Sequence, residues 1–319
     1  MRALVTGASG FVGRHLVTGL QTRGHFVRAA VRVAAVRVAA DMPPAHETVA
    51  VGDVALVHDW RPALVGIDTV FHLAGRAHRL AADEAALRDF TSINVDATVR
   101  LAHAAAASGV RRLVFISSAR VMGERSSGRP FSEADPPQPH DAYAISKWQA
   151  EQQLRAAAAA IDVVVVRPPL VYGPGVGANF LRLLRVAASA WPLPLLRATA
   201  ERSMAYVGNL VDALVRCGEH PRAAGQTYFV ADAEFLSVSA LLTLLRRLQG
   251  RPAHLWPVPV SALSLLLRVA GRGADIDRLF SPFRLDIHRI ADNLDWQPPH
   301  TADEGLRRTQ QWFAASLVR

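Results

Sequence analysis

Among 319 residues there is one cysteine, Cys217. That excludes an internal disulfide and any zinc site built from cysteines, and it fits a reducing cytoplasm as the expected compartment. No apolar run approaches the ~20 residues that cross a bilayer, so no membrane span is expected. The opening Met1-Arg2-Ala3-Leu4-Val5-Thr6-Gly7 has neither a long apolar core nor a cleavage site, and no signal peptide is expected. The twelve histidines are dispersed without the spacing of metal ligands, so no metal site is expected. A net charge of +9 invites anionic partners, yet the arginines interleave with 27 acidic residues and read as solvated surface. No basic stripe carries aromatic platforms, which argues against nucleic acid and leaves a phosphate-bearing small molecule as the compatible partner.

Lysine is as scarce as cysteine. Lys147 is the only one among 36 cationic side chains, and the rest are arginine. A codon preference that converts lysine to arginine wherever the two are exchangeable leaves lysine where a planar, permanently charged fork cannot serve. Tyr143 stands four residues earlier, on the same face if the segment is helical. A phenol beside an ammonium is an acid–base pair, because the positive charge stabilises the phenolate and lowers a pKa of about 10 toward neutrality.

The remainder of the chain alternates strands and helices. Arg2 to Thr6 is an apolar strand that ends in Gly7-Ala8-Ser9-Gly10-Phe11-Val12-Gly13, and helical spacing follows to Gly24. Glycines three apart at a strand-to-helix turn let a pyrophosphate approach the amides of a helix amino terminus, so this turn is a candidate dinucleotide site. The second strand, His25 to Arg32, lacks the terminal acid that would accept from the ribose hydroxyl of NAD. Arg28, Arg32 and Arg37 stand there instead, which favours NADP through a 2′-phosphate. Further strands are expected at Glu47 to Val51, Thr69 to Leu73, Arg112 to Ile116 and Asp162 to Arg167. Helices are expected over Leu56 to Val65, from Asn94 to Ala107, and around Tyr143 and Lys147. Strands apolar throughout and alternating with helices predict an α/β fold, a doubly wound parallel Rossmann sheet. Ser117 and Ser118 fall at the carboxyl end of the fifth strand, where such sheets bind ligands. Residues 1–175 read as the dinucleotide-binding domain. Residues 176–319 read as a smaller α+β substrate region interleaved with it, with helices at Asn179 to Ala190, Gly208 to Cys217, Ser237 to Leu248 and Thr301 to Leu317. Short strands are expected there near Ala205 to Val207 and Tyr228 to Val230.

Taken in order, Thr6-Gly7-Ala8-Ser9-Gly10-Phe11-Val12-Gly13, Gly52-Asp53-Val54, His72-Leu73-Ala74, Asn94-Val95, Phe115-Ile116-Ser117-Ser118, Tyr143-x-x-x-Lys147 and Arg167-Pro168-Pro169-Leu170-Val171-Tyr172-Gly173-Pro174-Gly175 carry a resemblance. The chain resembles the extended short-chain dehydrogenase/reductases, in the branch of nucleotide-sugar epimerases, dehydratases and reductases, over essentially its whole length. The resemblance implies an NAD or NADP cofactor, a UDP-sugar substrate and a homodimer formed through the alanine-rich helices from Asn94 and Tyr143. It implies that Tyr143 is the general acid–base, that Lys147 binds the nicotinamide ribose, and that Ser118 donates to the developing oxyanion. Asp53 and Val54 would contact adenine, and Leu73, Ala74 and Gly75 would line the dinucleotide together with Asn94, Ser117 and Pro168. Arg120, Met122, Asn179 and Arg202 would face the substrate. Met122 replaces a usual tyrosine and Gly75 a common alanine. Two enzymatic readings follow: a 4-epimerase of a UDP-hexose or UDP-N-acetylhexosamine, and an NADPH-dependent reductase of a UDP-4-keto-6-deoxyhexosamine. A non-catalytic dinucleotide sensor is the third.

Overall fold

The computed structural model describes residues 1–32, 45–76, 88–157, 160–271 and 273–317. The apolar runs form a seven-stranded sheet in which every neighbouring pair is parallel. Six strands follow the doubly wound order: β3 (Glu47–Ala50), β2 (Phe26–Val31), β1 (Arg2–Thr6), β4 (Thr69–His72), β5 (Arg112–Ile116) and β6 (Asp162–Arg167). Between β1 and β4 the strand order reverses, and a crevice opens there beyond the carboxyl ends. Val163 to Val166 of β6 are all buried, as expected of a strand covered on both faces.

The first half supplies helices α1 (Phe11–Thr22), a single turn α2 (Arg61–Leu64), α3 (Ala97–Ala107) and α4 (Ala142–Ala157). The second supplies α5 (Ala178–Ala188), α6 (Val207–Glu219), α7 (Val238–Leu248), α8 (Val260–Val269), α9 (Ala274–Phe280), α10 (His288–Leu294) and α11 (Ala302–Leu317). One hydrophobic cluster joins α1, α5, α6 and α7 to one sheet face, and a second joins α2, α3 and α4 to the other. Two small ribbons complete the substrate side: β7 (Leu170–Tyr172) beside β9 (Met204–Tyr206), and β8 (Glu201–Arg202) beside β11 (Leu236–Ser237). Among the described residues no helix is long and apolar enough to cross a membrane.

Several expectations change. The helix expected over Leu56 to Val65 is a 3-10 turn at Val54–Leu56 and the single turn α2, because Asp53 caps the first and Pro62 opens the second. Asn94 does not open its helix. Residues 88–90 are already helical, and Asn94 sits buried in a π-helical stretch, Thr91–Asp96, that runs into α3. The short strand expected near Tyr228 belongs to the main sheet: β10 (Thr227–Phe229) pairs parallel with β6 as its seventh strand. The chain therefore crosses back after residue 176, with α6 packing on α1 as well.

That helix contact depends on a missing side chain. A Cβ built on Gly19 of α1 would lie 2.4 Å from Val211 Cγ1 of α6. Gly19→Val should cost about 1–3 kcal/mol in urea unfolding, as overpacking does, and Val211→Ala in the same chain should recover most of it. An unchanged midpoint in the single variant would refute the contact.

Candidate functional site

The turn between β1 and α1 is shaped for close approach. Gly7 has φ +67°, and a Cβ there would lie 2.8 Å from the Ala74 amide nitrogen; one on Gly13 would lie 2.1 Å from the Gly7 carbonyl oxygen. Only glycine satisfies both positions. Gly10 is the N-cap of α1 and brings no side-chain hydrogen bond, and no acid occupies the first turn, so the helix's positive end is left for an anionic group. Ser9 and Gly10 are exposed and Phe11 and Val12 partly so at this edge. Gly75 is exposed at the end of β4, beyond partly buried Leu73 and buried Ala74, while partly buried Asp53 and Val54 follow β3. This cradle fits a dinucleotide pyrophosphate.

Of the arginines offered near β2, Arg28 is committed elsewhere. Its guanidinium donates to Glu47 Oε2 at 2.6 Å and to the carbonyls of Ala63 and Val65 at 3.0 and 2.8 Å. Arg32 is exposed at the end of β2, and Arg37 lies outside the described residues.

Across the crevice, α4 carries Tyr143, Lys147 and Glu151 at successive turns, hence on one face. The Tyr143 phenol lies beside the side chain of Ser118, which follows β5. Ser118 Oγ accepts from the Arg120 amide at 3.2 Å, and the Arg120 guanidinium pairs with the Asp141 carboxylate. Asp141 also accepts from the Ala144 amide at 2.8 Å, so one carboxylate both starts α4 and anchors Arg120. Sequence reasoning assigned the lowering of the phenol pKa to Lys147. Burial instead raises it above 10, and what opposes burial is the neighbouring Ser118 hydroxyl followed by the charge of Arg120.

Lys147 is 5% exposed. Its Nζ donates to the Ile116 carbonyl at 2.9 Å and lies 4.6 Å from the centre of the Phe115 ring. Burial pulls its pKa down to about 8, against an opposing pull from Glu151. A Cβ on Gly75 would sit 3.2 Å from that Nζ and 3.0 Å from Asn94 Oδ1, which explains why glycine suits a position where alanine is common.

Below the lysine lies a network that sequence reasoning missed. Arg167, the last residue of β6, grips Glu151 with two donors at 3.0 and 2.6 Å, and both side chains are buried. The signal was present as Glu151 one turn beyond Lys147 and an arginine ending a strand whose four inner residues are all valine. The network also corrects two assignments. The Ser117 hydroxyl donates to Glu151 at 2.5 Å and points into the protein, so it is not available to a dinucleotide. Met122, expected to shape the sugar pocket, is 1% exposed, and its sulfur accepts from Arg167 at 3.2 Å.

Asn94 is likewise employed within the protein. Its amide accepts from the Arg76 nitrogen and donates to the Arg76 carbonyl and to Ser146 Oγ, at 2.8, 3.1 and 2.9 Å. It positions the loop after β4 rather than presenting a free group. Pro168 is buried, and its carbonyl accepts from the Ala119 amide at 2.9 Å, fixing the segment that carries Ser118. Asn179 is exposed in the first turn of α5, whereas Arg202 donates to the Asp277 and Ser281 carbonyls at 3.2 and 2.6 Å.

Beneath the crevice the unforeseen residue is His72. Its pKa falls to about 3, from burial first and then the charge of Lys147, so the ring is neutral. The Thr98 hydroxyl donates to the Asn94 carbonyl, so it accepts from His72 Nε2 at 2.9 Å; Nδ1 then accepts from Thr6 Oγ1 at 2.7 Å. Thr6 Oγ1 in turn accepts from the Ala74 amide at 3.2 Å. One tautomer satisfies the whole chain. Among the described residues no three or more His, Cys, Asp or Glu gather as metal ligands.

Comparison with known proteins agrees with this geometry. Residues 3–231 match the model of the NAD dependent epimerase/dehydratase family. A UDP-glucose 4-epimerase of Vibrio cholerae is 38% identical, spanning 97% of this chain and 94% of that protein. The N-acetyl-alpha-D-glucosaminyl-diphospho-ditrans,octacis-undecaprenol 4-epimerase of Escherichia coli O157:H7 is 27% identical over the same shares. The solved structure of MoeE5 in complex with UDP-glucose and NAD is 26% identical with a TM-score of 0.78, covering 99% of this chain and 100% of that one.

Because the Lys147 pKa lies near 8, the ammonium is present below that pH and lost above it. Affinity for the dinucleotide, measured by calorimetry, should therefore fall from about pH 7 to about pH 9 with a midpoint near 8, and Lys147→Arg should remove the step because arginine keeps its proton. A flat wild-type profile would refute the assignment.

Proposed function

We propose a reaction for this chain, which belongs to the NAD dependent epimerase/dehydratase family: inversion at C4 of the hexose or N-acetylhexosamine of a UDP-sugar, with a nicotinamide dinucleotide as cofactor. The observation that carries it is the meeting of Ser118 and Tyr143, with buried Lys147 one turn along the same helix, beyond the carboxyl ends of a doubly wound parallel sheet. The V. cholerae and E. coli relatives are both named as 4-epimerases of a sugar carried on a diphosphate, which supports the position and the substrate class.

When bound, the nicotinamide ring supplies a reversible hydride acceptor. The chain's own part is to move one proton and hold one charge. Tyr143 takes the proton from the C4 hydroxyl and gives it back after the sugar has presented its other face. Ser118 donates to the oxygen as its charge changes, and Arg120 offsets the phenol's burial so that the proton can leave. Lys147 keeps a positive charge beside the ribose. No net oxidation results, so no second redox substrate is consumed.

The finer preference for NADP rests on Arg32, with Arg28 tied to Glu47. A homodimer through α3 and α4 is the expected assembly, to be read by light scattering.

Purified protein should convert UDP-glucose or UDP-N-acetylglucosamine to its C4 epimer, followed by NMR, without net change in NAD(P)H absorbance. Consumption of NADPH with a UDP-4-keto-6-deoxyhexosamine and no epimerisation would replace this reading with the reductase. Tyr143→Phe should reduce kcat by ~10³-fold, within the range of general acid–base catalysis, while dinucleotide binding persists. Unchanged turnover would remove Tyr143 from the mechanism, and absence of turnover in the wild type alongside tight dinucleotide binding would favour a sensor.

A further inference from the structure

Positive charge on this molecule is segregated in a way that whole-chain counts conceal. Residues 163–200 and 235–274 contain no aspartate or glutamate at all, while each contains several arginines. The fold brings these two segments together. Leu193 pairs with Leu255; the Leu193 amide donates to the His254 carbonyl at 3.0 Å, and the Trp256 amide to the Leu193 carbonyl at 2.8 Å. Arg246, itself buried, clamps the same junction by donating to the carbonyls of Ser189, Trp191 and Ala253 at 3.2, 2.6 and 2.6 Å.

On the outside of that clamp stand two indoles, Trp191 at 77% and Trp256 at 61% exposure. Four residues beyond Trp256 begins α8, whose sequence Val-Ser-Ala-Leu-Ser-Leu-Leu-Leu-Arg-Val is mostly apolar, yet none of its residues is buried. Leu265, Leu266 and Val269 are 65%, 64% and 81% exposed. A helix of that composition ordinarily owes its place to an apolar face packed in a core, and this one turns Leu265 and Leu266 outward. The arginines that accompany it, Arg197, Arg247, Arg251 and Arg268, are exposed too. Beside them runs an apolar groove of about 420 Å³ lined by Leu196, Leu244 and Arg247 among others.

We infer that this face docks on an anionic lipid bilayer surface. Three features select that occupant. Indoles with an apolar body and a single N–H suit the boundary between head groups and acyl chains. Outward leucines on a short helix gain by entering that boundary, and neighbouring arginines reach past them to phosphate on an anionic leaflet. Neither segment carries a carboxylate of its own to repel an anionic surface; the acids nearest α8 in sequence, Asp275 and Asp277, stand on the following helix α9. A second copy of the chain would cover the leucines, but the same acid-free face on the partner would set arginine against arginine. The attachment is peripheral.

Co-sedimentation tests it directly. Vesicles of phosphatidylcholine with about 30% phosphatidylglycerol should pellet the protein at about 0.1 M salt and release most of it at about 0.5 M, and pure phosphatidylcholine should not. The double variant Leu265→Glu, Leu266→Glu and the single variant Trp256→Ala should each weaken binding roughly tenfold while keeping the wild-type unfolding midpoint, since neither site is buried. Vesicle binding is read without the reaction, so its outcome stands apart from the proposed chemistry. Failure of the wild type to bind anionic vesicles would overturn the inference, as would binding that the variants leave intact. A dimer that dissociates in the double variant while the wild type ignores vesicles would assign the face to self-association instead.

Discussion

Everything around the crevice answers to one requirement, that an ammonium be kept charged inside a dry sheet edge. Burying a cation costs several kcal/mol unless charge and hydrogen bonds compensate. Lys147 receives a carbonyl from Ile116, the face of Phe115, and Glu151 one turn away. That carboxylate is already gripped by Arg167 with two donors, so the buried set holds two cations for one anion. The lysine lies against Gly75, next in the chain to Ala74, which Gly7 of the glycine turn approaches. An anionic ligand is what this arrangement of charge is suited to receive, and the cost of burial shows in the lysine pKa, pulled down to about 8.

How far this was legible in the sequence depends on the range of the interaction concerned. The strands at Arg2 to Thr6, Arg112 to Ile116 and Asp162 to Arg167 are runs whose apolar continuity reports burial on both faces, and the structure has the same bounds. The Gly7 turn was legible because the glycine spacing expresses a local steric demand. What depended on distant partners was not. Arg28 reads like a phosphate ligand until Glu47 and two carbonyls near Val65 come within reach. Met122 and Ser117 read as pocket residues until the Glu151–Arg167 pair draws both inward. The Tyr143–Lys147 spacing correctly placed the two on one face, but nothing in it conveyed that Arg120, fixed by Asp141, lies closer to the phenol's charge balance. The strand Thr227–Phe229 is too short to announce its partner, and its pairing with β6 is decided by the valines already there.

The crevice and the face built from the Trp191 and Trp256 segments divide their tasks by charge. At the crevice, acids and bases are mixed and mutually fixed: Arg120 with Asp141, Arg167 with Glu151. On the face built from the Trp191 and Trp256 segments, acids are absent and the arginines stand among exposed apolar side chains. The first pattern holds geometry at a reacting carbon. The second leaves side chains free to adapt to a surface without fixed atomic positions.

His72 adds a mechanical consequence. Its ring is pinned at both nitrogens between Thr6 on β1 and Thr98 on α3, and the chain of bonds continues through Asn94 and Ser146 to the Tyr143 carbonyl. Such a chain acts as a strut. Displacement at one end is passed toward the other, since the links from Thr6 to Ser146 are buried and the last, to the Tyr143 carbonyl, is partly so. The carboxyl ends of β1 and β4 and the start of α4 are therefore tied into one stiff unit.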